Sequence, residues 1–310
     1  MISGERAIIG VVKMNSDMGV RMKEKVRYGL VLEGGGMRGI YTAGVLDVFL
    51  EQGIRFDGVI GVSAGAIHGA SFVSGQKGRS IRYYKKYCRD RHFMSWWSFF
   101  TTGDIVGRKF CYQDLPERLD PYDYNAFDQS GIEYYVGCSN VETGKPEYIR
   151  ITDMRRQVDY MRASASLPYV SRIVKIDGKK LLDGGCTDSV PLLAFRKLGF
   201  ARNVVVLTRP KGYVKEPENQ KLAKLFFHRY PAFARALKNR YLSYNQNMKE
   251  IERLEASGET FVIRPSVTPD IGRMSHDPEK IQEVYEIGRK DALQQLEALK
   301  QWMKTEPVKK

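Results

Sequence analysis

Apolar positions in this chain first cluster at Tyr28-Gly29-Leu30-Val31-Leu32-Glu33, an unbroken run that ends in glycines, and again at Asp57-Gly58-Val59-Ile60-Gly61-Val62. Short continuous runs bounded by turn residues predict strands buried on both faces. Between them, residues 40 to 52 place Ile40, Ala43, Val45-Leu46 and Phe49-Leu50 at helical spacing, and Gly53 stops the helix. Small residues from Ala64 to Ser71 suit a second, tightly packed helix. Strand, helix, strand, helix in this order predicts a parallel sheet with right-handed crossovers.

Further strands are expected at Glu133–Cys138, Glu147–Ile151, Arg172–Ile176 and Val204–Thr208, with helices at Met154–Ser164 and Leu192–Leu198. Past Arg209-Pro210 the pattern changes. Residues 215 to 258 read as polar and helical, Thr260–Arg264 as a short strand, and Glu279–Met303 as one long amphipathic helix. The expected organisation is a tail over residues 1–26 outside the fold, a catalytic domain over 27–209, and a mainly helical region over 210–310, which could pack on the same domain.

The composition fits one large α/β domain, with or without an appendage: 310 residues, 43% apolar. The net charge of +14 changes the picture more. It points either to solubility or to an anionic partner, nucleic acid or acidic lipid. No nucleic-acid-binding motif accompanies it, so nucleic acid is not expected. Cys88, Cys111, Cys138 and Cys186 lie far apart without zinc or disulfide spacing and read as reduced thiols of a cytoplasmic protein. The apolar run Ile8–Val12 is too short for a signal peptide, and no run is long enough for a spanning helix.

Three segments carry chemistry. Gly61-Val62-Ser63-Ala64-Gly65 is a G-x-S-x-G between a strand and a helix. A serine on so sharp a turn sits at a strained backbone angle, and the flanking glycines remove side chains that would clash. Gly34-Gly35-Gly36-Met37-Arg38-Gly39 also joins strand to helix, and its glycines let backbone N–H groups face an anion or oxyanion. The same letters satisfy G-x-G-x-x-G, with Asp57 about 20 residues on, so a dinucleotide-binding Rossmann-type protein is the rival reading. Against it, Asp57 begins its strand, whereas a ribose-binding acid belongs at the far end, which Ser63 occupies. The third segment, Leu181-Leu182-Asp183-Gly184-Gly185, puts an aspartate on a turn; alone it is an ordinary Asp-Gly.

Taken together and in this order, the segments resemble the patatin-like phospholipases, most of all the bacterial stand-alone members. The resemblance covers roughly residues 28 to 208 and includes Arg162-Ala163-Ser164-Ala165-Ser166-Leu167-Pro168, similar to the family's Ala-Ser-x-x-x-Pro segment. It implies a three-layer α/β fold with a mostly parallel central sheet flanked by helices. It also implies a serine acyl-ester hydrolase acting on phospholipids or lysophospholipids without a cofactor or metal. Ser63 would be the nucleophile and Asp183 the proton acceptor, with Gly34, Gly35, Gly36 and Arg38 lining the oxyanion site. Ser189 departs from the family, many members having Asn ahead of a proline such as Pro191. A non-catalytic lipid-binding module of the same fold is a further alternative, disfavoured by the presence of both Ser63 and Asp183.

A dyad needs a base within reach of the serine. On a helix, His68 would be turned ~140° from Ser63 and displaced ~7.5 Å along the axis, so it is expected to pack rather than catalyse. His92, His228 and His276 sit in no recognisable strand-end loop. Burial would raise the pKa of an aspartate and make it a better base. Finally, Phe93-Met94-Ser95-Trp96-Trp97-Ser98-Phe99-Phe100, flanked by Arg89, Arg91 and Arg108, and the stretch Arg229–Arg240 suit either the core or peripheral contact with an anionic inner-membrane surface.

Overall fold

The two apolar runs become neighbouring parallel strands, β1 (Tyr28–Leu32) and β2 (Gly58–Val62), joined through helix α1 (Ile40–Glu51). The computed structural model describes residues 26–217 and 220–305; most of the expected tail, residues 1–25, lies outside them. After β2 come α2 (Ala64–Val73), α3 (Arg79–Tyr87), α4 (Trp96–Thr102), a wide helical stretch at Phe110–Leu119, and α5 (Tyr124–Gln129). Next are β3 (Glu133–Asn140), β4 (Pro146–Ile151), α6 (Val158–Ser164), β5 (Val174–Ile176), β6 (Lys179–Asp183), α7 (Leu192–Lys197) and β7 (Arg202–Val206). The remaining elements are α8 (Gln220–Phe226), α9 (Pro231–Ala256), β8 (Thr260–Ile263), α10 (Pro278–Gln294) and α11 (Leu296–Lys304).

One sheet runs β5-β6-β3-β2-β1-β7-β8, with β4 on the free edge of β3. The ladders from β3 through β8 are parallel, and those of β4, β5 and β6 antiparallel. Side chains alternate between two helical layers, as strands buried on both faces require. Leu30, Leu32, Val59, Val204 and Val206 join the core under α1, α2 and α10. Val31, Ile60, Val205 and Val262 join Phe195 of α7 and Tyr244, Ile251 and Leu254 of α9. This is a three-layer α/β fold.

The C-terminal segments are built into these layers. β8 extends the sheet beyond β7. α10 crosses α1 where a methyl at Gly44 would lie 2.1 Å from the Tyr285 carbonyl oxygen, and one at Gly288 2.1 Å from that of Tyr41. Only glycine allows the two backbones so close.

Some expected elements shift. The single helix over Glu279–Met303 is two, broken at Gln295, which turns Leu296 and Leu299 into the core and brings Trp302 against Tyr28 and Phe261. The helix expected from Met154 starts at Val158, and the strand expected from Arg172 starts at Val174. β6 was not expected as a strand. It is the second arm of a hairpin whose turn residues, Asp177 and Gly178, both have positive φ, 47° and 74°. Asp-Gly flanked by apolar residues is a hairpin signal, and it was there to be read.

Candidate active site

β3 is what brings the two reactive segments together. Its Gly137 pairs with Val62, the last residue of β2, and its next residue, Cys138, pairs with Asp183, the last of β6. Where β2 leaves the sheet at its turn, β6 takes over the same edge of β3. Ser63 and Asp183 therefore meet at one end of the sheet.

Ser63 has φ 54°, ψ −123°, one of three non-glycine residues with positive φ among the described residues. Such a conformation costs of order 1–3 kcal/mol and must be held by its surroundings. The holders are visible. A methyl at Gly61 would lie 2.6 Å from the Ala66 backbone, and one at Gly65 2.5 Å from the Leu32 carbonyl oxygen. The Ser63 N–H donates to Ser164 Oγ at 2.8 Å, and that hydroxyl donates to the Gly137 carbonyl at 2.6 Å. Two residues on, the Ser166 carbonyl accepts the Asp183 N–H at 2.8 Å. The Arg162–Pro168 segment thus clamps both partners, a positioning role the sequence did not reveal.

Asp183 is buried. Its Oδ1 accepts the Gly185 N–H at 2.7 Å, and Ser139 Oγ donates to its carbonyl at 2.8 Å. Oδ2 makes no hydrogen bond of regular geometry, although the Ser63 side chain is near enough to act on the carboxyl. Burial raises its pKa, with Ser63, Arg240, the Gly185 N–H and Arg273 pulling the other way. Arg240, on α9, donates through Nε to the Gly185 carbonyl, so the C-terminal region also supports the Asp183 turn.

The glycine loop divides its work. The Gly34 N–H donates to the Ser189 carbonyl at 3.3 Å, which gives the departing Ser189 a backbone role and removes Gly34 as an oxyanion donor. The N–H groups of Gly35 and Gly36 make no such bond among the described residues. Gly36 has φ 58°, and the Arg273 carbonyl, which accepts the Met37 N–H at 3.3 Å, caps the turn. Glu33 is buried below, its carboxylate accepting from Thr208 N–H and Oγ1 and from Tyr244 Oη at 2.9 Å. Asp57 lies at the opposite end of the sheet, accepting the Tyr28 N–H at 2.7 Å, far from the loop a ribose-binding acid would serve.

Two cavities meet at Ser63 and Gly36. One, of about 1040 Å³ with its mouth, is apolar and runs between Ile67, Tyr84, Met94, Leu115 and Met161. The other, of about 1210 Å³, is lined by Gly34, Gly35, Arg38, Asp183 and a set of cationic and aromatic side chains. All six residues singled out from the sequence thus border one chamber. None of the four histidines lines either cavity. His68 is buried with Nδ1 3.0 Å from Ser80 Oγ, and burial pulls its pKa down to about 3. His92 pairs with Asp90, His228 lies against the Leu225 carbonyl, and His276 against that of Cys88.

The patatin-like phospholipase family profile matches residues 30–196, a little over half of the chain, and the chain belongs to that family. Residues 230–304 match a domain of unknown function, DUF6363. An uncharacterised Escherichia coli protein, YjjU, is 31% identical over 198 residues, 62% of this chain and 55% of YjjU. Lysophospholipase nte1 of Aspergillus terreus is 27% identical over 301 residues, covering 88% of this chain but 18% of that protein. The chain therefore spans about half of one relative and under a fifth of the other. Among solved structures, VipD from Legionella pneumophila aligns with 88% of this chain and 67% of its own at a TM-score of 0.43 and 13% identity.

Proposed function

We propose that this chain hydrolyses acyl esters of phospholipids or lysophospholipids through a Ser63–Asp183 dyad. The observation that carries the reading is the strained Ser63 beside a buried aspartate whose Oδ2 has no regular hydrogen bond, at the meeting of an apolar cavity and an open glycine loop. The lysophospholipase relatives support the substrate class.

In the first step Ser63 Oγ bonds to the ester carbonyl carbon and its proton passes to Asp183. The carbonyl oxygen takes up the negative charge facing the Gly35 and Gly36 N–H groups, with Arg38 alongside. The C–O bond to the alcohol breaks, and the leaving oxygen takes the proton from Asp183. Water then attacks the acyl-enzyme, with Asp183 again accepting a proton, and fatty acid leaves. The apolar cavity suits the acyl chain. A fluorophosphonate probe should label the protein and not Ser63→Ala. Asp183→Asn should lower kcat by ~10²–10⁴-fold while keeping a native circular-dichroism spectrum. A histidine variant that stays folded and falls as far would overturn the dyad.

The reading extends to an interface. Trp96 and Phe100 on α4 are 54% and 79% exposed, and Phe226 on α8 is 55% exposed. Trp96 and Tyr169 both line the cationic chamber, and Tyr169 packs on Phe226 at 5.4 Å, so both helices flank its mouth. Exposed aromatics beside cations suit the headgroup layer of a bilayer. No helix among the described residues is long and apolar enough to cross a membrane. Binding to vesicles should increase with acidic lipid and weaken as salt screens it. Binding indifferent to both removes this part of the reading.

A further inference from the structure

The chamber on the other side of Ser63 from the apolar cavity is unusual in its charge. Arg38, Arg209, Lys215, Arg240 and Arg273 all border it, against two carboxylates, Glu33 and Asp183. Neither carboxylate neutralises the group. Both Glu33 oxygens are taken by Thr208 and Tyr244. Asp183 is turned toward Ser63 and Gly185, and burial favours its neutral form.

The cations are held by rings as well. The Arg209 guanidinium lies 4.3 Å from the centre of the Tyr213 ring, and Lys215 Nζ lies 4.7 Å from that of Tyr244. The two tyrosines pack edge to face at 6.0 Å. Lys215 is fixed further by a two-way bond between its backbone and the Asn245 side chain, at 2.8 and 2.9 Å. An aromatic face fixes a cation in place without cancelling its charge, and it leaves the edge N–H donors of an arginine pointing away from the ring. Arg38 adds a buried Nε with no hydrogen-bond partner. Burial and repulsion from Arg209 and Arg273 lower its pKa to about 10. Like charges held together in a cleft, on supports that do not neutralise them, form a site built for an anion.

We propose that Arg38, Arg209 and Arg273, with Lys215 at the rim, bind the headgroup phosphate of an acidic phospholipid or lysophospholipid. This rests on the reading of Ser63 as the acylated residue and says which ester that residue meets. With the acyl chain in the apolar cavity, the glycerol and its phosphate fall on the cationic side. A phosphate without a compensating cation in its headgroup is then preferred over a choline ester.

The test compares single-chain substrates in neutral-detergent micelles. The kcat/KM ratio of oleoyl-lysophosphatidate to oleoyl-lysophosphatidylcholine should be about tenfold or more for the native protein. Arg209→Gln should lower that ratio about tenfold, and Arg209→Lys should keep most of it. Lys211→Gln, which removes the same unit of charge from an exposed site outside the chamber, should leave it unchanged. Hydrolysis with a ratio near one, or an equal fall in Lys211→Gln, overturns the proposal while the hydrolase reading stands. No hydrolysis of either lipid defeats the hydrolase reading instead. A binding measurement then decides the site by itself. Ser63→Ala should bind glycerol 3-phosphate in calorimetry more tightly than inorganic phosphate, and Ser63→Ala/Arg209→Gln should lose the difference. Equal binding of the two anions, or none, overturns a headgroup site.

Discussion

Two strand-to-helix turns stand side by side at the same end of the sheet, one after β1 and one after β2, and both are rich in glycine. They use glycine for opposite ends. In the turn after β2 the glycines flank the reactive residue, and the strain falls on Ser63 itself. In the turn after β1 the glycines are the functional positions, and the strained residue is Gly36. The first turn is packed against backbone on both sides. The second is open, with its N–H groups facing a cavity. A substitution in the packed turn should act on folding, and one in the open turn on rate.

The largest expected effect is Gly65→Ala. Its methyl would sit 2.5 Å from the Leu32 carbonyl oxygen, and backbone cannot rotate away. A loss of ~3 kcal/mol or more is expected, seen as a collapse of the urea midpoint or as insoluble protein. Gly36→Ala should do the reverse. Left-handed backbone costs alanine ~1–2 kcal/mol, and the nearest atom, the Arg273 carbonyl oxygen, is 3.1 Å away. The protein should stay folded while kcat falls ~10²-fold through displaced oxyanion donors. Equal losses in both properties for both variants would erase the contrast.

The smallest effect concerns Asp183. Its pKa is raised by burial above the ordinary carboxylate value, so the folded state holds this proton where the unfolded chain has released it. Stability therefore falls as pH rises through the folded pKa and stays reduced beyond it. Asp183→Asn should raise Tm by roughly 2 °C or more at neutral pH, and by less as pH drops into the ordinary carboxylate range. A Tm that falls at neutral pH would mean the carboxylate is stabilised where it sits.

How much of this was legible beforehand differs between the two turns and their supports. The parallel strands and their glycine-bearing turns announce themselves through local pattern, because a buried strand and a tight turn each constrain consecutive residues. Ser63 and Asp183 could be named on the same ground. Their meeting could not, since it depends on β3 changing partner between Gly137 and Cys138, a pairing that leaves no local trace. Ser164 and Ser166 look like any small residues after a helix. Their roles arise from contacts across the fold. Arg240 and Tyr244, one helical turn apart on α9, serve the site from a region whose own pattern says only that it is an amphipathic helix.

The close crossing of α1 and α10 has a consequence in time. The apolar face of α1 is completed by residues roughly 240 positions later in the chain. At ~5–20 residues per second of synthesis, α1 waits on the order of ten seconds to a minute before its partner exists. For that interval the nascent sheet has one layer unfinished, and Tyr28, whose hydroxyl ends on the Met303 carbonyl at 2.7 Å, has no mate. The last helices close the protein rather than decorate it, and the half-made chain must be kept from its neighbours until they emerge.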